Sequence, residues 1–429
     1  MLPDIRQTDY LYAVPKFELE RDDVSALLHE LKGFHEHFAD CFQRSELREN
    51  FFRYMTGQFS QLERKSIEPI AFAVEGGKVR AMQRFVSEAV WDEDRIMDKY
   101  RSFVNEDIGH PDGALIFDES GFVKKGDDSI GVARQYCGTI GKVDNCQVGV
   151  FAAYTSAHGY ALIDKRLYIP EQWFSGDYTI KREKCKLPEG VKFQTKPQLA
   201  AEMLRDFSAK QQIPFRYVLA DSVYTTSPEF IETVESITGV VYLGQAPEST
   251  TCWPKNPVVV KKEVTYRGRT REKRTVSSDT KKPITFKAFA RSINDFFWYR
   301  RKVSEGTKGP IEYEFTKRRV VLSHHGLPLK TVWLVIRRTM GKEPQYSYFI
   351  SNAPVSTRLE KLVWLSGLRW AIEQCFEETK TELGMDQYEV RKFLGWNHHI
   401  LTCMLAHYFL WHLKIRLGKK STSYYSIAV

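Results

Sequence analysis

Two aspartates each close an apolar run of the kind that forms a buried strand. Ala114-Leu115-Ile116-Phe117 runs into Asp118, and Phe215 to Ala220 runs into Asp221. Ligands of open α/β sheets gather at the carboxyl ends of strands. Two carboxylates brought together there repel unless a cation neutralises them, which is the service a divalent metal provides. Each Asp taken singly is more often a plain turn cap after its strand. A third candidate lies in Arg369-Trp370-Ala371-Ile372-Glu373-Gln374-Cys375-Phe376-Glu377-Glu378-Thr379-Lys380. Arg369, Glu373, Phe376 and Lys380 fall at i, i+4, i+7 and i+11, along one helix face. Such a face is either an ion-pair ladder, worth about a few tenths of a kcal/mol per pair, or a metal ligand between two phosphate clamps. Periodicity leaves both open, and Glu377 and Glu378 compete for the same role.

The elements around these residues follow from their spacing. Val24, Leu27, Leu28 and Leu31 predict a helix; so do Met82, Phe85, Val86 and Ala89, and a similar stripe from Leu47 to Phe59. Residues 1–110 therefore read as a helical domain. After Gly109-His110-Pro111-Asp112-Gly113 the pattern turns to strands, at Ala114 to Phe117, Gln147 to Tyr154 and Gly159 to Tyr168. Thr195 and Pro197 open a helix, the Asp221 strand follows, Ser227-Pro228 starts another helix, and Val240 to Leu243 is a further strand. The order βββαβαβ is most naturally buried as an α/β sheet, here 111–245. Short alternating apolar pieces and Gly/Pro turns mark 246–345 as a β-rich insertion. The α/β pattern resumes in 346–415, with one long helix from about Leu359 to Leu383 and an apolar helix after Gly395, before a tail at 416–429.

Charge singles out the insertion. The chain has 429 residues, 63 Lys+Arg against 54 Asp+Glu, a net of +9, and 42% hydrophobic residues. Lys255 to Gln345 alone holds 23 basic and 8 acidic residues, a net of +15, leaving 40 minus 46, or −6, for the remainder. Such a segment fits a polyanion-facing surface or, as readily, a solvated Lys-rich face. Seven scattered cysteines with no Cys-x-x-Cys pair argue for a reducing compartment, against a disulfide framework and against structural zinc. Met1 to Lys16 does not read as a signal peptide, and Ile400 to Leu413, containing His407 and His412, is too short and polar to span a bilayer. The expectation is a soluble cytoplasmic protein. His398, His399 and His407 read as core or surface residues, and no Gly-x-x-x-x-Gly-Lys-Ser/Thr phosphate loop is present.

Longer strings carry a family resemblance. They are Phe117-Asp118-Glu119-Ser120-Gly121-Phe122-Val123-Lys124-Lys125-Gly126, Gly131-Val132-Ala133-Arg134-Gln135-Tyr136-Cys137-Gly138, Gly141 to Gln147, Ala220-Asp221-Ser222-Val223-Tyr224, Gly306-Thr307-Lys308-Gly309-Pro310, and Arg369 to Glu373 with Tyr388-Glu389-Val390-Arg391. With these the chain resembles DDE-superfamily insertion-sequence transposases, most closely the insertion sequence 701 group, over roughly Phe51 to Leu410.

The resemblance implies an RNase H-like, retroviral-integrase-like catalytic core, a β-rich insertion between the second and third acids, and a helical N-terminal DNA-binding domain. It implies Asp118, Asp221 and Glu373 as catalytic metal ligands for two Mg²⁺ ions, Mn²⁺ substituting, with Asp118 bridging the pair. The relatives' helix signature is matched by Arg369, Glu373 and Lys380, but Ser366 stands where they carry Tyr. Arg369, Lys380, Lys124 and Lys125 are the expected phosphate contacts, joined by Arg134 and Lys308 inside the matching strings and by Arg300 and Arg301 in the insertion. Trp298 is either the aromatic partner of a flipped base or a plain β-core residue. The implied activity is cut-and-paste transposition: cleavage of terminal inverted repeats and joining of 3′-OH ends to target DNA, by a homodimer on double-stranded DNA in a bacterial nucleoid. A catalytically silent DNA-binding derivative, a nuclease that cuts without joining, and a non-enzymatic scaffold remain alternatives at this point.

Overall fold

The apolar stripes at helical spacing form helices in the computed structural model, which describes residues 21–266, 269–306 and 309–425. The described chain divides into two compact units, one built from 21–216 with 370–425 and the other from the described residues of 217–369. The first unit begins with α1 (Arg21–Glu36), α2 (Ser45–Phe59), α3 (Ile67–Ala73), α4 (Val79–Ser87) and α5 (Glu93–Ile108). Asp92 caps α5 by accepting from the Arg95 N–H at 3.1 Å, and Glu93 and Asp94 in the first turn suit the positive end of the helix dipole. Then come β1 (Ala114–Val123), β2 (Ala133–Cys137), β3 (Lys142–Ser156), β4 (Gly159–Tyr168), α6 (Thr179–Lys184) and α7 (Lys196–Lys210). β3 pairs antiparallel with β1 along one edge, and with β2 and then β4 along the other. Thr195 and Gln198 close a reciprocal capping box at α7, with Pro197 in its first turn.

The second unit holds β5 (Tyr217–Ala220), α8 (Ser222–Thr225), α9 (Pro228–Ser236), β6 (Val241–Ala246), β7 (Thr251–Trp253), β8 (Val259–Tyr266), β9 (Arg269–Val276), β10 (Ile284–Thr285), α10 (Phe286–Arg291), β11 (Tyr299–Gly306), β12 (Gly309–His324), β13 (Leu327–Arg338), β14 (Tyr346–Ser351) and α11 (Leu359–Leu368). Its sheet runs β10-β7-β12-β13-β14-β6-β5, with β11 also on β12. β5 and β6 are parallel and the remaining pairs antiparallel, so the protein is α/β with a mixed sheet. Val332 to Ile336 of β13 are buried in succession, the mark of a strand covered on both faces. β8 and β9 form a separate, cation-rich ribbon.

The long helix expected from Leu359 to Leu383 is divided: α11 ends at Leu368, and the chain resumes helix as α12 (Trp370–Leu383) in the first unit. Two residues weaken the junction. Ser366 Oγ donates back to the Val363 carbonyl at 2.7 Å, and Gly367 is a poor helix former. The last helix, α13 (Phe393–Tyr425), runs through most of the segment read as a tail. Trp396, Ile400, Leu401, Met404, Leu405 and Tyr408 of α13 are fully buried. That all-round burial explains its apolar sequence. Among the described residues no helix is long and apolar enough to cross a membrane, and the seven cysteines are free and buried.

The N-terminal helices, β4 and α13 share one core. Tyr100 donates to the Leu162 carbonyl, Arg101 Nε donates to the Ile163 carbonyl at 3.2 Å, and Trp91 stacks on His398 at 3.7 Å. His399 of α13 meets Tyr54 of α2 through Nδ1 (2.8 Å) and the Met385 carbonyl through Nε2 (3.2 Å). Neutral His399 satisfies both, accepting from Tyr54 and donating to Met385. Burial pulls its pKa from 6.5 down to about 4. The unfolded chain therefore takes up a proton below about pH 6.5 that the folded one refuses until about pH 4. The contribution is fully present above 6.5 and is lost as pH falls, at about 1.4 kcal/mol per pH unit. Urea unfolding at pH 7 and pH 5 should show wild type losing roughly 2 kcal/mol more stability than His399→Gln. Equal losses in the two proteins would remove His399 from the acid response.

Candidate active site and nucleic-acid contacts

Asp118 does not end its strand. β1 continues to Val123, because Glu119 to Val123 keep pairing with β3 in unbroken register, Glu119 opposite Val150 and Val123 opposite Cys146. The half-buried Asp118 lies opposite Phe151, and one of its carboxylate oxygens accepts from the Glu119 N–H at 2.8 Å. Strand alternation puts Ile116, Asp118, Ser120 and Phe122 on one face and Phe117 and Glu119 on the other. Glu119 is held on that second face by Lys196 of α7 at 2.8 Å.

The first face is covered by α12. Phe376 of α12 packs edge-on against Phe151 at 5.2 Å. Lys380, one turn on, donates from Nζ to the Gly121 carbonyl (3.2 Å) and Thr139 Oγ1 (2.8 Å), and stands 5.4 Å over the Phe122 ring. These two anchors run α12 alongside β1 in the same direction. From Lys380 back to Glu373 is about 10 Å of helix; from Phe122 back to Asp118 is about 13 Å of strand. Glu373, exposed in the first turn of α12, thus comes to about the level of Asp118 on one face of the sheet.

The competing acids differ from it. Glu378 accepts from the Tyr160 hydroxyl (2.7 Å) and Gln374 (3.0 Å), and pairs with His407 Nε2 (2.7 Å), tying α12 to β4 and α13. Burial pushes its carboxyl up, but His407, Tyr160 and Gln374 together hold it below the usual range. Glu377 is exposed, and its carbonyl accepts from Thr381.

In the second unit Asp221 stands directly after β5, as expected, and caps α8 by accepting from the Val223 N–H at 2.8 Å. Carboxylates are the hard oxygen donors that Mg²⁺ and Mn²⁺ take, so the chemistry of this donor set fits a divalent ion. Among the described residues no group of three His, Cys, Asp or Glu side chains is gathered to hold a metal ion.

The expected DNA contacts fall into two classes. Lys125 and Arg134 are exposed. Lys124 is half-buried instead, its Nζ 3.3 Å over the Tyr388 ring and donating to the Tyr388 carbonyl at 3.0 Å, and burial lowers its pKa to about 8. Lys380 is likewise engaged with the sheet. In the second unit Arg300 pairs with Glu312, and Arg301 with Glu360 at 2.8 Å. Trp298 is only 7% exposed and lies under the Arg338 guanidinium at 4.2 Å, a core-like setting. The neighbouring Phe296, 80% exposed, and Phe297, with Arg318 4.7 Å over its ring, are both presented to solvent. Sequence reasoning passed them over. The signal was Asn294, whose side chain accepts from the Phe296 N–H at 2.9 Å and turns the chain outward there. Arg369 sits at the junction after α11, and Lys308 lies outside the described residues.

Comparison with known proteins bears on these positions. Residues 37–310 match the family described as DDE superfamily endonuclease. Over 193 residues the chain is 28% identical to the probable transposase for insertion sequence element IS701 of Microchaete diplosiphon, covering 43% of this chain and 46% of that protein. The match thus spans about half the length of that relative. Among solved structures, the cryo-EM piggyBac transposase synaptic complex with hairpin DNA aligns with 93% of this chain and 67% of its own at 10% identity and a TM-score of 0.34. The NurA nuclease of Sulfolobus solfataricus aligns with 69% and 88% at 11% identity and a TM-score of 0.27. Neither likeness is close enough to carry an argument. The family match, however, takes in more than half of the chain, including Asp118 and Asp221, and agrees with the motifs around them: the chain belongs to the DDE superfamily endonuclease family.

Proposed function

We propose that the chain is an insertion-sequence transposase, a metal-dependent DNA endonuclease and strand transferase with Asp118, Asp221 and Glu373 as its acids. The observation that supports this reading is the packing of Phe376, nearly one turn after Glu373 on α12, against Phe151, the residue opposite Asp118. An RNase H-like core is the architecture we assign. The antiparallel succession β1, β3, β4, the helix α7 and the parallel pair β5–β6 support it.

The three acids would hold two divalent ions, Mg²⁺ with Mn²⁺ able to substitute, Asp118 shared and Asp221 and Glu373 each serving one. Bound there, such ions supply a reactive nucleophile at neutral pH and a charge clamp for the leaving oxygen. Water first attacks the phosphodiester at a transposon end and frees a 3′-OH. That hydroxyl then attacks a phosphodiester of target DNA, one bond forming as another breaks, so the joining step needs no nucleotide hydrolysis. Exposed cations such as Lys125, Arg134 and Arg300 would neutralise backbone phosphates and set register rather than sequence preference. Bringing two ends together calls for a homodimer on the DNA.

Labelled linear DNA bearing the inverted repeats that flank the gene, with Mg²⁺ or Mn²⁺, tests the reading. Wild type should yield 3′-OH ends and joined products, and Asp118→Ala neither. Cutting without joining would point to a nuclease, and tight binding without cutting by wild type to a catalytically silent DNA-binding derivative. The two classes of lysine make a separate expectation. Lys125→Ala should lower the salt slope of DNA binding by about one phosphate contact. Lys124→Ala should leave that slope unchanged and lower stability instead, since its ammonium is spent on Tyr388.

A further inference from the structure

We propose that α3 and α4 form a helix-turn-helix in which α4 reads duplex DNA in the major groove through Arg80, Gln83 and Arg84. The proposal rests on the transposase reading and names where that enzyme recognises its ends. The turn between the helices depends on glycine. Gly76 has φ +68, and a Cβ on Gly77 would come 2.2 Å from the Ala71 carbonyl oxygen. On the other side of α3, a Cβ on Gly57 of α2 would come 2.3 Å from Ile70 Cγ2. The Gly57 contact lets α2 and α3 approach more closely than other residues allow, and the Gly77 contact folds the turn tightly against the end of α3; a short glycine turn between two helices is how this motif is built.

α4 is rigidly mounted. Its inward stripe, Met82, Phe85 and Val86, is buried; the Val86 carbonyl meets His398 Nδ1 at 2.9 Å, and Trp91 stacks on Phe85 at 4.5 Å. Its outward face presents Arg80, Gln83 and Arg84, all exposed, and none of the three side chains is engaged in a hydrogen bond or ion pair with another described residue. α4 itself, VRAMQRFVS, has no acid. The face borders a groove of about 550 Å³ whose far wall includes Arg391 and Lys392. Two carboxylates at the groove are already neutralised, Glu88 by Lys392 at 2.7 Å and Glu389 by Arg64. Glu68 is left as its carboxylate without such a partner among the described residues.

Charge and donor geometry choose the occupant. Arginine matches O6 and N7 of guanine, and glutamine matches N6 and N7 of adenine, in a groove about 12 Å wide that admits a helix. A-form RNA closes that groove to side chains, so the partner is DNA. Residues on such a face set the ratio of specific to non-specific affinity, unlike phosphate contacts, which weaken all sequences alike.

The experiment uses the full chain and fluorescence anisotropy. The probes are a duplex carrying the flanking inverted repeat and a shuffled duplex of equal length and composition. Arg80→Ala, Gln83→Ala and Arg84→Ala, singly and together, should each reduce the preference for the repeat by about tenfold or more, with urea midpoints unchanged. Metal-dependent nicking of supercoiled plasmid is followed in wild type alongside, as the readout of the catalytic reading. An unchanged preference in the triple variant, or no preference in wild type, overturns the proposal. A wild type that prefers the repeat through these residues but never nicks DNA would support α4 as the reader and overturn the catalytic reading instead.

Discussion

Glu373→Gln should lower DNA cleavage on the order of 10³-fold, the scale of losing a group that acts in the transition state alone, while DNA affinity and the urea midpoint stay near wild type. Glu373 is exposed in the first turn of α12, on the helix face that carries Phe376 and Lys380. Glu378, five residues on, is the discriminating control. Its carboxylate already serves Tyr160, Gln374 and His407, and Glu378→Gln removes the charge that faces His407. That variant should lose about 1–3 kcal/mol of stability through imperfectly paired buried groups and keep cleavage within about tenfold of wild type. Initial rates of 3′-end formation, read beside denaturation curves, separate the two. The reverse pattern, with Glu378→Gln inactive and Glu373→Gln active, would mean that the third acid has been misassigned.

Asp164→Ala should be among the most destabilising single changes in the first unit, costing about 3–5 kcal/mol. Asp164 is buried on β4, where its carboxylate takes Arg101 of α5 at 2.8 Å and Arg166 at 2.6 Å. Side-chain exposure is 5% for Arg101 and 4% for Asp164. Removing the acid leaves the Arg101 guanidinium in the core without its counter-charge, whereas Arg166 keeps Asp206 at 3.1 Å and the Lys165 carbonyl at 3.0 Å. An exposed pair gives the contrast: Lys261 and Glu272 meet at 2.8 Å with side chains 69% and 63% exposed, and Glu272→Ala should cost less than about 1 kcal/mol. Urea denaturation of the two variants checks both. A cost at Asp164 no larger than at Glu272 would show that the buried pair does not hold α5 to the sheet.

Local signals made much of the fold legible. Thr195 with Pro197 marked the start of α7, the run into Asp221 marked β5, and Val332 to Ile336 marked a strand of the insertion, read as an alternating piece where the structure buries both faces. What the chain conceals are properties set by partners far away in sequence. Glu119-Ser120-Gly121 looks like a turn after Asp118, and only register with Val150, Gly149 and Val148 makes it strand. Lys124 looks like a free cation until Tyr388 covers it, and Trp298 looks presentable until Arg338 closes over it. The Met82, Phe85, Val86 stripe was visible, but a stripe reveals the buried side of a helix. The functional interest of α4 lies on its opposite side, which periodicity marks only as solvent-facing.

Direct ligation of metal by the three acids is the central claim, and thiolate substitution with metal exchange tests it most directly. Asp118→Cys, Asp221→Cys and Glu373→Cys would be assayed for cleavage of the inverted-repeat DNA with Mg²⁺ and with Mn²⁺, beside Asp118→Ala. A thiolate is a poor ligand for Mg²⁺ and a better one for the softer Mn²⁺. Each Cys variant should therefore be inactive with Mg²⁺ and recover cleavage with Mn²⁺, while Asp118→Ala stays inactive with both. Full Mg²⁺ activity in any of the three, or a Mn²⁺ effect no different between Asp118→Cys and Asp118→Ala, would contradict the account.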